Sequence, residues 1–446
     1  MDTHRGSKKL GLWEAVSLAV GTMIGASIFT MLGLGAKIAG HNLPLAFVFS
    51  GVLALSVGYS YAALGSRIIS NAGPIEFIVR GLGDGVVTGA LAILMWFSYV
   101  VSLALFAKGF AGYLLPLLGL PANGLYVGIV ETLFLAAFTV LNFFGAKAVG
   151  RAEFWIVLIK LSVLGVFIVL GIWSVHPEWI MPHFDPVSMK RTLFATAIFF
   201  LSYMGFGLVT NASEDIENPE RNVPLAIYLS ILIVGVVYVL VAVVAVGNLP
   251  LDELIRAEDY ALAEAAKPFL GTFGYLLVSI GALFSISSAT NATLYGGANI
   301  AYALAREGHL PRVFERKVWF GATEGLFITA GLGLFFALFF DLGGVAGITS
   351  SVMMVIYLFV IASHYQLWRR GEAPGRPALI LSAFVLVSGA FLTLQYWQYS
   401  QKPAAFAATW VAYALALVVE AIYRGATGRR IRERVTRKPR ALLLRR

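Results

Sequence analysis

Apolar stretches long enough to cross a bilayer recur from one end of this chain to the other, and only short loops separate them. A membrane helix needs about 20 predominantly apolar residues. The sequence offers twelve such stretches, at about 11–39, 43–70, 84–117, 124–144, 151–174, 191–214, 223–248, 269–304, 322–340, 345–368, 377–398 and 404–423. The runs are continuous rather than alternating, which excludes a membrane β-barrel. Of 446 residues, 59% are hydrophobic and 13% charged, where a soluble domain carries about 25% charged residues. A soluble enzyme and any sizeable extramembrane domain are excluded. The chain reads as an all-α membrane protein with twelve transmembrane helices, in one domain over 1–423 with a basic tail at 424–446. It has no cysteine and no Gly-x-x-x-x-Gly-Lys-Ser/Thr loop, so thiolate chemistry and P-loop ATP hydrolysis are out. No cofactor and no metal are expected.

The formal charge is +9, and its distribution matters more than its size. Residues 424–446 hold ten basic side chains against one acid, Glu433. With no aromatic residues interleaved to stack on bases, this is a membrane-surface anchor rather than a nucleic-acid arm. Arg5, Lys8 and Lys9 precede an apolar run that continues past Phe29, so the start reads as an uncleaved first span. Placing both termini inside puts 25 Lys and Arg on the inner side and seven on the outer. This asymmetry predicts a cell-membrane protein with cytoplasmic N- and C-termini. The segment 251–268 reads as a partly amphipathic helix covering the outer face.

Two stretches carry internal breaks. Gly21-Thr-Met-Ile-Gly25-Ala-Ser-Ile-Phe29 interrupts the first, and Ser202-Tyr-Met-Gly205-Phe-Gly207 the sixth. Glycine weakens a helix by about 1 kcal/mol relative to alanine, and freed backbone groups in lipid must find partners. One break alone would suit a small-residue packing seam. Breaks in the first and sixth of ten core helices predict a five-plus-five inverted repeat, over about 11–174 and 191–368, with extra helices at 377–423. Half-helix ends then meet near the midplane, where their dipoles suit a carboxylate and an ammonium together.

Lys160 is the sharpest single residue. It lies nine residues beyond Arg151, about 13 Å along a helix, too deep to reach the interface comfortably. Desolvation there favours the neutral amine. Glu131, in the fourth stretch, reads as a structural partner for a polar neighbour, with proton carriage as the alternative. Lys108 is expected to snorkel to the outer interface and His364 to sit at the inner one.

Three motifs add a resemblance. Ile24-Gly-Ala-Ser-Ile-Phe29, Glu214-Asp-Ile-Glu-Asn-Pro-Glu-Arg-Asn-Val-Pro224 and Ala303-Leu-Ala-Arg-Glu-Gly-His-Leu-Pro311 resemble the first-span, post-sixth-span and post-eighth-span motifs of the amino acid–polyamine–organocation superfamily. Within it, Ser202–Gly207, Gly281–Ser288 and a lysine in the fifth span resemble the archaeal broad-specificity, proton-coupled amino-acid transporters. The resemblance implies the LeuT-like fold, with discontinuous helices 1 and 6. It also implies a substrate site made by Met23, Ile24, Ala26, Ser27 and Ile28 of the first break with Leu201, Ser202, Tyr203, Met204 and Gly205 of the sixth. The backbone at Ala26, Ser27 and Ile28 would take the α-carboxylate. Carbonyls near Met23 and of Leu201, Ser202 and Met204 would take the α-amine, with Phe206 nearby. By the same likeness Lys160 couples protons, meeting the Gly21 carbonyl and the Ser285 hydroxyl where sodium-coupled relatives hold a cation. Two departures stand out: Ser27 replaces the family's second glycine, and Leu201 stands where some relatives carry an aromatic gate.

The leading expectation is a secondary transporter taking up amino acids with protons by alternating access. Exchange and sodium symport are the alternatives within that class. A channel or a membrane-embedded enzyme is the alternative outside it. Against the enzyme, His4, His41, His176, His183, His309 and His364 are scattered and make no acid–base or metal cluster with Asp or Glu.

Overall fold

The computed structural model describes residues 9–70, 73–143, 149–307, 310–317 and 323–427. Lys147, Gly308, His309 and the basic tail past Thr427 lie outside them. Among the described residues every regular element is helical, and two isolated bridges, Leu10 with Ile216 and Lys317 with Thr323, are the only β pairings. Among the described residues eleven helices are long and apolar enough to cross a membrane. The ninth expected stretch forms an apolar helix, Glu324–Phe339, of only 16 residues.

The helices start where local chemistry favours it. Pro44, Pro74, Pro186, Pro219 and Pro377 sit in first turns, where the missing N–H has no intrahelical acceptor to lose. Asp185 and Asp341 cap the helices Pro186–Phe199 and Leu342–Arg369 by accepting backbone N–H groups. Inside the bundle, many serine and threonine hydroxyls bond back to main chain, which satisfies them in an apolar medium. Ser50 reaches the carbonyls of Ala46 (2.8 Å) and Thr196 (2.9 Å), joining the second helix (Leu43–Gly65) to the sixth.

Several boundaries differ from the sequence reading. The second helix ends at Gly65, and a short amphipathic helix, Pro74–Leu82, follows it. The expected cover at 251–268 is a helix Leu251–Ala257, a turn Glu258–Tyr260, and the start of a helix assigned over Ala261–Glu307. That helix is two in fact, meeting at Gly271 with φ +59°, a conformation side-chain-bearing residues rarely adopt.

Hydrogen bonds group the loops into two ends. Leu10 pairs with Asp215 (2.8 Å), Ser70 with Ser213 (3.0 Å), Arg370 with the Arg80 carbonyl (3.2 Å) and Arg424 with Asp84 (2.9 Å). Both described chain termini therefore lie at one end of the bundle, called here the tail-side end. At the opposite end Asn42 meets His183 (2.7 Å), His41 meets the Trp179 carbonyl (2.7 Å), and Lys402 pairs with Asp341.

Candidate functional site

The first helix runs Leu12–Met23, and its last helical bond is Ile24 N–H to the Val20 carbonyl at 2.9 Å. Ile24 then leaves the helical region (φ −77°, ψ 61°). Winding resumes at Ser27–Thr30 and continues through Leu32–Ala39. A helix end leaves its terminal N–H or C=O groups without intrahelical partners, so the two ends flanking Gly25 and Ala26 present main-chain polar groups deep in the bundle.

The sixth stretch behaves differently. Pro186–Phe199 is α-helical, Phe200–Gly207 tightens to a 3₁₀ helix, and Leu208–Asn211 follows. The second interruption is thus a change of winding rather than an opening. The two interruptions touch through main chain. A Cβ on Gly205 would stand 2.6 Å from the Met23 nitrogen and 3.0 Å from the Thr22 carbonyl carbon, so only glycine allows this approach.

A cavity of about 300 Å³ lies at this junction. Of the residues expected to form a substrate site, Met23, Ala26, Ser27, Leu201, Ser202, Met204 and Gly205 line it, as do Gly21 and Lys160. Ile24, Ile28 and Tyr203 pack into the core instead, and the Tyr203 hydroxyl donates to the Phe47 carbonyl at 3.0 Å. Phe206 stacks near Tyr357 behind the wall. The Lys160 Nζ, on the fifth helix (Val149–Gly171), donates to the Gly21 carbonyl, and the residue is 2% exposed. Ser285, expected as its second partner, donates its hydroxyl to the Gly25 carbonyl at 3.0 Å.

Sequence reasoning missed most of the remaining wall. The third helix (Val86–Leu117) presents Met95, Ser98, Tyr99, Ser102 and Phe106. The eighth adds Ser288, Ala292 and Gly296, and the tenth adds Thr349, Met353 and Tyr357. Each set recurs every three or four residues, the spacing of one helix face. Tyr238, on the seventh helix (Pro219–Asn248), was also missed. Its hydroxyl bonds both the Met23 carbonyl and the Ser202 carbonyl (3.1 Å), so one phenol bridges the two interruptions from behind. Two carbonyls expected to meet an α-amine therefore have a protein partner already.

The cavity extends past Leu208 to Pro74 and Asn211, toward the tail-side end. On the other side it is sealed. Tyr113 donates to the Phe29 carbonyl (2.7 Å), and the Glu258 carbonyl packs directly on Gly33. Beyond that seal lies a larger charged recess of about 670 Å³, lined by Lys108, Glu131, Asp259, Asp341 and Lys402 among others. Lys108 does not snorkel: it pairs with Glu131 at 3.2 Å, and the carboxylate is 1% exposed. His364 is buried near the tail-side end of its helix, bonded to Ser60 (3.0 Å) and to the carbonyl of Pro374 in the following loop (2.9 Å). Among the described residues no three His, Asp or Glu side chains are placed to hold a metal.

A bundle of long apolar helices, two of them interrupted beside a buried cavity, has the build of a membrane transport protein. Residues 10–420 match the amino acid permease family model, and the chain belongs to that family. It is 60% identical over 423 residues to an uncharacterised protein of Methanocaldococcus jannaschii, covering 95% of this chain and 97% of that one. It is 34% identical to the inner membrane transport protein YbaT of Escherichia coli (86% and 89% covered) and 26% identical to the branched-chain amino acid permease BcaP of Bacillus subtilis (68% of each). The protein is a multi-pass membrane transporter of the amino acid permease family, and amino acids are the substrates its family implies.

Proposed function

We propose that this permease takes up amino acids together with protons, by alternating access on a LeuT-like scaffold of two inverted repeats, with both termini in the cytoplasm. The observation that carries the reading is the buried Lys160 ammonium bonded to the Gly21 carbonyl, just before the first interruption. Protonated, Lys160 holds the fifth helix against the inner half of the first. A hydrogen bond to a charged group contributes about 1.5–3 kcal/mol, a sizeable part of the roughly 5.5 kcal/mol that swings a two-state equilibrium from 1:99 to 99:1. Loss of the proton frees the inner half-helix to move.

In this reading the substrate carboxylate meets the main chain at Ala26, Ser27 and Ile28. The amine meets carbonyls of the sixth helix, with Tyr238 setting where those carbonyls stand. The tail-side end is cytoplasmic, and the extension of the cavity to Pro74 and Asn211 corresponds to an inward-facing form. A fixed ammonium repels a metal cation, which favours protons over sodium.

The test is uptake of labelled alanine into proteoliposomes. Uptake stimulated by an inward proton gradient and unchanged when choline replaces sodium is expected. Strong sodium dependence, or uptake only against internal amino acid, overturns proton symport in favour of sodium symport or exchange.

A further inference from the structure

We propose that the part of the cavity facing the substrate side chain admits neutral aliphatic, thioether and aromatic side chains and rejects lysine and arginine. The inference rests on the reading of this cavity as the amino-acid site and goes further by naming which amino acids it takes.

Besides Met23 at the first interruption, three methionines, Met95, Met204 and Met353, come from three different helices and line the cavity together. Methionine is unbranched and polarisable, and it adapts its shape to the group beside it. A wall built this way accommodates aliphatic, thioether and aromatic side chains alike.

Three of the wall's hydroxyls add little discrimination. Ser98 donates to the Met95 carbonyl (2.6 Å), Ser102 to the Ser98 carbonyl (2.7 Å) and Thr349 to the Val345 carbonyl (3.0 Å). Their protons are committed to their own helices, and only lone pairs remain to offer a ligand.

Charge decides the rest. A cation taken out of water needs a paired counter-charge. Three buried carboxylates are engaged elsewhere: Glu131 with Lys108, Glu76 with Arg80, and Asp84 with Arg424. None of the three lines the cavity. The basic residue that lines it is Lys160, and beside its protonated form a lysine or arginine side chain would bring a second positive charge into the same small volume. Like charges at such separations repel strongly where water is excluded.

The experiment is competition against labelled alanine uptake in proteoliposomes, by unlabelled leucine, methionine, phenylalanine, lysine and arginine at one fixed pH. The three neutral amino acids are expected to compete, with lysine and arginine at least about tenfold weaker. Lysine competing as well as leucine overturns the inference while leaving the amino-acid site intact. Failure of every amino acid to compete, or of alanine itself to enter, overturns both. The variant Met353→Glu supplies the missing counter-charge and is expected to admit lysine at least about tenfold better than wild type. Met353→Gln, polar but neutral, is expected not to. If wild type rejects lysine and folded Met353→Glu rejects it equally, the missing counter-charge is not the cause and the inference falls. Should Met353→Glu fail to fold, the wild-type competition alone still decides.

Discussion

Two lysines sit inside this bundle and their surroundings differ. Lys108 pairs side chain to side chain with Glu131, joining the third helix to the fourth, both continuous through the contact. Lys160 donates to main chain, at Gly21 of a helix that stops winding at Ile24. An opposite-charge pair compensates itself and acts as a rivet between rigid elements. An ammonium on a backbone carbonyl links charge state to the position of a chain segment. The difference teaches that burial alone does not say what a buried lysine can do; what the partner is attached to matters as much.

The largest expected effect breaks the comparison at Lys160. Lys160→Arg keeps a charge that does not leave in proteins, so proton-driven accumulation is expected to fall at least about tenfold. Uptake into proteoliposomes with an imposed pH gradient measures it, and full accumulation by this variant would shift attention to Glu131. The next effect lies at the other lysine. Glu131→Gln strands the Lys108 charge and is expected to lower stability by about 3 kcal/mol, read as a lower melting temperature in detergent. The double variant Lys108→Met with Glu131→Leu is expected to recover most of that loss, and uptake per folded molecule to persist in both.

A smaller effect sharpens the contrast. Tyr238→Phe removes the one proton shared by the Met23 and Ser202 carbonyls, and is expected to raise KM for alanine about five- to tenfold with kcat little changed, an effect of ~1 kcal/mol. The smallest effect supplies a pH reference outside the membrane. The Ser188 hydroxyl, together with the N–H groups of Ser188 (3.0 Å) and Val187 (3.1 Å), holds the Asp185 carboxyl below its ordinary range. A lowered folded-state value means the cap contributes fully above the ordinary carboxylate range and fades as pH falls through the lowered value. Melting curves of Asp185→Ala and wild type are therefore expected to differ at neutral pH and converge in strong acid.

Much of this was legible because membrane helices announce themselves by length, and because Gly21, Gly25, Gly205 and Gly207 interrupt apolar runs. The family motifs named the region of the site. What stayed hidden was register between helices. Nothing in the sequence says that residue 108 faces residue 131, or that Tyr238, in a run of valines and leucines, points at two distant carbonyls. The stripe Met95, Ser98, Ser102, Phe106 has helical spacing, but on a helix apolar all round it does not stand out. The sixth interruption was visible as a glycine pattern, yet glycine permits several backbone paths, and the tighter 3₁₀ winding was settled by packing against the first helix.

The contact at Gly205 bears on how such a protein can diversify. Where two main chains meet with no side chain between them, mutation has no handle: any larger residue at 205 collides with Met23. The part of the cavity bordered by this contact is therefore closed to gradual change, while the methionine, serine and threonine faces of the third, eighth and tenth helices are free to vary. Lineages built on this architecture would keep one end of their ligand constant and explore new chemistry only at the other.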